Sequence, residues 1–80
     1  MSKDIKEVEK EVIAHIGGFI SDVKTTAKLI NKSETTLWRW RENSLYLSYR
    51  KIGNAKNSVI EYTAYEIARY LTENNIEVYR

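Results

Sequence analysis

The sequence predicts an α+β fold that is mostly helical. Apolar residues recur at helical spacing over most of the first 43 residues, an aromatic and β-favouring stretch begins near residue 45, and a helical pattern returns after residue 63. The chain has 80 residues, 42% of them hydrophobic and 30% charged, which is typical of a globular protein. This length predicts a single domain over residues 1–80 with a small core.

The first segment is predicted to be a helix from about Lys3 to Ile16. Ser2 can cap its start, and Gly17 offers the left-handed residue that ends many helices. Its apolar stripe must pack either on the rest of the chain or on a second copy, because burial of such side chains is strongly favourable. We expect packing within the chain, with self-association as the alternative. The stripe consists of Ile5, Val8, Val12, Ile13 and Ile16.

Two short helices are predicted next, over about Val23 to Ile30 and Glu34 to Asn43. Asn31 tolerates positive φ and can make the sharp turn between them, and Ser33 can cap the second helix. Two short helices joined in this way form a helix-turn-helix. The side chains that can cap the first of the two are Ser21 and Asp22.

A strand pair and a last helix are predicted for the rest of the chain. The strands are Leu45 to Ile52 and Val59 to Tyr62, separated by a polar and basic turn. Thr63 and Glu66 form a capping box that starts a helix over about Ala64 to Glu73. The residues expected to face the core beyond the first helix are Val23, Ile30, Leu37, Trp40, Ile52, Ile60, Ile67 and Leu71.

The net charge of +2 conceals a strongly basic centre. Residues 24–56 carry eight lysines and arginines against two acidic residues, a balance of +6, whereas residues 1–23 and residues 57–80 each carry −2. A cluster of positive charge of this kind is the electrostatic footprint of a nucleic-acid-binding surface. Chance segregation of charge in a short chain is the alternative explanation.

Composition argues against an enzyme. With no cysteine and one histidine, the chain offers no catalytic pair and no metal-ligand set, so we expect no catalytic residues, no metal and no cofactor. The longest uncharged stretch, Val12 to Ser21, is too short to span a bilayer, and the charged start lacks the apolar run of a signal peptide. We therefore expect no membrane association and a cytoplasmic, nucleoid-associated location.

Two segments resemble one family. Residues 36–40, TLWRW, follow the turn at Asn31 and the cap at Ser33, and this phrase resembles the helix-turn-helix of phage excisionases, which are relatives of the MerR-type winged helices. Residues 49–53, YRKIG, and residues 60–62, IEY, resemble the wing of that family. The similarity covers roughly residues 19–73. This sequence departs from the family pattern in having Asn31 in place of the turn glycine and no proline at the wing.

The resemblance implies a winged helix-turn-helix over residues 19–73, with residues 1–18 as an extra helix and residues 74–80 as a tail. Such proteins bind and bend double-stranded attachment-site DNA, work with an integrase or other recombinase, and in many cases regulate transcription; assembly as a homo-oligomer on DNA is a further option. One alternative is a helix-turn-helix transcription regulator that dimerises through its N-terminal helix. Another is a protein-interaction adaptor that does not bind DNA.

Helical spacing selects the residues that would meet DNA. In a helix over about 34–43 that enters the major groove, Arg39 suits guanine, and Trp38 would lie against sugar-phosphate or a thymine methyl group. Alternation means that Arg50 and Lys51 cannot both face DNA, and the resemblance favours Lys51. The candidates on the outward face of this helix are Thr35 and Arg39, which would contact bases, together with Trp38 and Glu42. The phosphate-facing candidates are Lys28, Lys32, Thr36, Lys51 and Lys56. For each of these residues, a solvated or structural role is the alternative.

Overall fold

The computed structural model describes residues 4–53 and 59–74, and within these ranges it is an α+β fold with four helices and one small antiparallel sheet. The fold is mostly helical, as the sequence predicts. None of these helices has the length and hydropathy that a bilayer crossing needs. In chain order the elements are α1 (Ile5–Ile16), β1 (Ile20–Ser21), α2 (Val23–Ile30), α3 (Glu34–Glu42), β2 (Arg50–Ile52), β3 (Val59–Thr63) and α4 (Ala64–Glu73).

Each helix begins at a polar side chain that accepts a hydrogen bond from the backbone amide three residues later. This bond satisfies one of the amide groups that a helix start leaves without a partner. Ser33 and Thr63 are caps as predicted, and Asp22 is the cap of α2. The prediction that Ser2 caps α1 is wrong, because Asp4 holds that position. The four oxygens of Asp4, Asp22, Ser33 and Thr63 lie 3.0, 2.7, 3.0 and 3.1 Å from the amides of Glu7, Thr25, Thr36 and Glu66.

The turn between α2 and α3 is built on Asn31, whose φ is 60°. Its amide donates to the Lys28 carbonyl at 3.2 Å, and the next amide, of Lys32, donates to the Ala27 carbonyl at 2.9 Å. This pair of bonds is the Schellman motif, which satisfies the last carbonyls of a helix. Asparagine therefore makes the turn that a glycine makes in the family pattern.

The chain between α3 and β2 is irregular, so the prediction of a strand over Leu45 to Ile52 is wrong for its first five residues. Ser44 ends α3 with φ at 53°, and Tyr46 has φ at 62°, so neither residue is compatible with an extended strand. Two contacts from α4 hold this segment: Arg69 Nη2 donates to the Tyr46 carbonyl at 2.7 Å, and Glu66 Oε1 accepts from the Ser48 amide at 3.0 Å.

The sheet has three strands in the order β1-β3-β2, with both pairs antiparallel. Ile20 lies opposite Thr63 and Ser21 opposite Tyr62, so the two-residue strand β1 was not predicted but closes one edge of the sheet. On the other edge, the paired residues are Arg50 with Glu61, Lys51 with Ile60, and Ile52 with Val59.

The core forms where α1 packs on α4, α3 packs on α2, and α2 and α4 pack on β3. Val8 and Val12 of α1 are buried in it, so the expectation that the first helix packs within the chain is confirmed. The expectation that Ile52 faces the core is wrong: this residue is 42% exposed, because all of β2 lies in solvent beside β3. The fully or largely buried hydrophobic residues are Val8, Val12, Ala27, Ile30, Leu37, Leu47, Tyr62, Ala64, Ile67, Ala68, Tyr70 and Leu71.

Candidate nucleic-acid interface

One side of α3 is exposed and carries the four residues predicted for the outward face of this helix: Thr35, Trp38, Arg39 and Glu42. Their spacing places them on one face of the helix. Leu37, on the opposite face, is completely buried. Trp38 keeps 54% of its surface in solvent, which is unusual for a residue of this size and apolar character.

Thr36 differs from the other predicted contacts because its hydroxyl already has a partner. Its Oγ1 lies 2.9 Å from Ser33 Oγ, and the residue is half-buried in the first turn of α3. This arrangement gives Thr36 a role in capping α3, which is the structural alternative to a phosphate contact.

The exposed side of α3 is not itself basic. It carries Arg39 together with the carboxylates of Glu34 and Glu42, and all three are exposed. Any attraction to a polyanion must therefore come from the neighbouring elements. Glu42 is chemically suited to accept a hydrogen bond from cytosine N4 in the major groove.

Positive charge beside α3 comes from α2 and from the turn that joins the two helices. Lys24, Lys28 and Lys32 are spaced four residues apart and are all exposed. Asp22 caps the same helix, and hydrogen bonds from Thr25 hold the pKa of this carboxyl below its ordinary value, with smaller contributions from Lys24 and Lys28. The ionised Asp22 offsets the charge at the Lys24 end, so Lys28 and Lys32 are the better placed pair.

The sheet register distinguishes Lys51 from Arg50. Lys51 pairs with Ile60, and because opposite residues share a face and alternate residues share a face, Lys51 lies on the side that also carries Tyr62. Tyr62 contacts α3, so Lys51 is on the sheet face that is turned toward α3. Arg50 pairs with Glu61 on the opposite face.

A contact that sequence reasoning missed joins α3 to the sheet. Arg41 Nη1 donates to Tyr62 Oη at 2.8 Å. The helical pattern places Arg41 beside Leu37, but the partner lies 21 residues further along the chain and no local signal identifies it. The remaining predicted contact, Lys56, lies outside the described residues.

The C-terminal end of α3 is anchored by an aromatic cluster. The Trp40 ring is half-buried, with its centroid 4.6 Å from that of Tyr46 and 5.6 Å from that of Tyr70. Burial raises the pKa of the Tyr70 hydroxyl, so this group stays neutral. Trp40 is therefore part of the packing of α3, as predicted, rather than part of its exposed side.

An ion pair on α4 supports the same cluster. Arg69 contacts Glu66 and also donates to Glu73 at 2.7 Å. Burial alone would raise the pKa of Glu66, but hydrogen bonds from Arg69 and from the Ser48 amide outweigh it and lower that pKa. The same contacts with Glu66 raise the pKa of Arg69. The pair stays charged and holds the segment that carries Tyr46.

Other chemistry is sparse in the part of the chain that the structure describes. Within it, no group of three or more histidine, cysteine, aspartate or glutamate side chains is arranged to hold a metal ion. His15 is exposed in the last turn of α1, where the helix dipole favours a cation.

No protein-family model, curated protein or solved structure matches this chain.

Proposed function

We propose that this protein binds double-stranded DNA as a winged helix-turn-helix, with α3 in the major groove and the β2–β3 pair as a wing on the backbone or minor groove. The observation that carries the proposal is the exposed side of α3, which presents Trp38 and Arg39 to solvent, together with the exposed lysines of the neighbouring α2 and of β2. A protruding helix of this kind fits the B-DNA major groove, and adjacent lysines neutralise phosphates.

The proposed contacts divide into two classes. Arg39 and Thr35 read base edges, Trp38 covers a thymine methyl group or sugar, and Glu42 accepts from a cytosine. Lysines on α2, on the turn after it and on the wing contact phosphates, which fixes the orientation of α3 without reading sequence. These lysines are Lys28, Lys32 and Lys51 in the described residues, together with Lys56 beyond them.

Salt dependence tests the phosphate contacts. The affinity for a mixed-sequence duplex is expected to fall with salt, with a log–log slope of roughly −0.9 for each neutralised phosphate. Lys51→Ala should make that slope shallower by about 0.9, because one phosphate contact is lost. Fluorescence anisotropy titrations over a range of salt concentrations measure both quantities.

Arg50→Ala is the matched control for Lys51→Ala. It removes the same charge from the neighbouring residue of β2, but on the sheet face that is turned away from α3, so its slope should equal that of the wild type. Equal slopes for the wild type and Lys51→Ala would show that Lys51 does not contact a phosphate. A wild-type slope near zero would reject DNA binding and favour a protein-interaction adaptor.

Substitution of Arg39 tests whether the protein recognises DNA bases. Arg39→Ala should cost about 1–3 kcal/mol on the preferred site and relax the preference at one base position, because a bidentate contact with guanine is lost. Selection of bound sequences from a random pool, followed by affinity measurements on the selected and scrambled duplexes, measures the effect. Equal losses on both duplexes would assign Arg39 to a phosphate instead.

The narrower role rests on the resemblance described above. It supports a proposal that the protein acts as an excision factor that bends attachment-site DNA and works with an integrase. The alternative is a transcription regulator that dimerises through α1. Its dimer interface would need the apolar stripe of α1, but Val8 and Val12 of that stripe pack inside the chain. Mapping bound sites distinguishes direct repeats, expected for an excision factor, from the palindromes of a symmetric dimer.

A further inference from the structure

Arg41 is a half-buried cation on a helix whose other arginine, Arg39, is exposed. The only hydrogen-bond partner of its guanidinium among the described residues is the hydroxyl of Tyr62, at 2.8 Å. We propose that Arg41 is a phosphate-binding residue at the junction of α3 and the wing, and that Tyr62 positions it. This inference rests on the proposed DNA-binding function and adds a contact to it.

Charge balance points to an anionic ligand. The other half-buried arginine, Arg69, has the carboxylates of Glu66 and Glu73 as partners. Arg41 has no carboxylate within ion-pair distance in the part of the chain described. Removing a guanidinium from water costs free energy, and this cost is not offset when no anion takes the place of the water. Arg41 also has five N–H donors, of which one is used by a residue that the structure describes.

Rigidity points to a role in positioning. Tyr62 is 1% exposed and fixed in the central strand of the sheet, so its hydroxyl gives Arg41 a stationary acceptor. A side chain held in this way loses less conformational freedom when it binds a ligand. The guanidinium is planar and has N–H groups that donate to no other described residue, and a pair of such groups matches the paired oxygens of a phosphate.

The location selects a DNA phosphate over a free anion. Arg41 lies one helical turn from Trp38, at the border between the exposed side of α3 and the sheet face that carries Lys51. A DNA strand that passes from a groove occupied by α3 to the wing must cross this border. A phosphate held there would fix the angle between the two elements.

The test compares Arg41→Met, Arg41→Lys and Tyr62→Phe with the wild type on one short mixed-sequence duplex. Arg41→Met should make the log–log salt slope shallower by about 0.9, because one phosphate is no longer neutralised. Arg41→Lys keeps the positive charge but loses the planar guanidinium that can donate two parallel hydrogen bonds. This variant should have the wild-type salt slope and an affinity about tenfold lower. Lys10→Met removes the same charge from α1 and should change neither quantity.

Tyr62→Phe separates positioning from packing. It should weaken DNA binding in the wild-type background and have no further effect on affinity in Arg41→Met, whatever it does to the melting temperature. An unchanged salt slope in Arg41→Met, with a lowered melting temperature, would overturn the inference and leave Arg41 as a structural tie. If Arg41→Met does not fold, unchanged affinity in Arg41→Lys overturns it instead. If the affinity of the wild type for DNA did not depend on salt, the proposed function itself would be rejected, and not only the role of Arg41.

Discussion

Val12→Asp is expected to unfold the protein. Val12 is completely buried where α1 packs on the rest of the core, so the substitution removes an apolar side chain and places a carboxyl group where water cannot reach it. Such a change costs at least about 4 kcal/mol. Small domains have total stabilities of about 5–15 kcal/mol, and a chain of this length lies toward the lower end. Circular dichroism should show loss of helix at every protein concentration.

Ala14→Asp is the matched control for Val12→Asp. Ala14 lies two residues further along α1 and is exposed, so the same new charge stays in water. The expected cost is less than about 1 kcal/mol, mainly from a negative charge near the C-terminal end of a helix. Sedimentation equilibrium completes the test. A dimeric wild type that Val12→Asp converts into a folded monomer would show that α1 is an intermolecular seam instead.

The parts of the fold that local chemistry specifies could be predicted from the sequence. Asn31 and Ser33 lie within one helical turn of the groups that they satisfy, so the end of α2 and the start of α3 can be read from adjacent residues. The bounds of α2 and α4 agree with the prediction for the same reason. Helical spacing also identifies the exposed side of α3, because it depends only on the period of the helix.

The parts that depend on distant partners could not be predicted. β1 is two residues long, which is too short for an alternating pattern, and it exists because Ile20 pairs with Thr63. The segment before β2 has β-favouring residues, yet Arg69 binds the Tyr46 carbonyl from 23 positions away and stabilises a left-handed residue there. Tertiary contacts thus override local propensity.

The candidate site likewise has features that the sequence predicts and features that depend on distant partners in the fold. Alternation along β2 shows that only one of Arg50 and Lys51 faces α3, but the choice between them requires the register with β3. The pairing of Arg41 with Tyr62 likewise depends on how the sheet packs against α3. Sequence therefore identifies the exposed residues of α3, and the fold identifies which neighbours share their side of the molecule.

Trp40→Ala is expected to destabilise the protein strongly while leaving its charge unaltered. The Trp40 ring packs in tilted contacts against Tyr46 and Tyr70 and so connects the end of α3 to α4. Truncation of a fully buried aromatic residue costs about 3–5 kcal/mol, and a half-buried one should lie at the lower end. In a domain of this size, about 3 kcal/mol lowers the melting temperature by roughly 12–24 °C. Thermal unfolding followed by circular dichroism measures the shift.

Trp38→Ala provides the comparison that tests the assignment of the two faces of α3. Trp38 is 54% exposed, so its loss should change the melting temperature by only a few degrees, and alanine is the better helix former. DNA affinity should fall by about 1 kcal/mol, because the apolar surface that Trp38 would bury against the duplex is gone. The two substitutions thus separate stability from binding on one helix. If Trp38→Ala destabilised the protein and Trp40→Ala weakened only DNA binding, the faces would be reversed, and the base contacts assigned to Thr35 and Arg39 would be wrong with them.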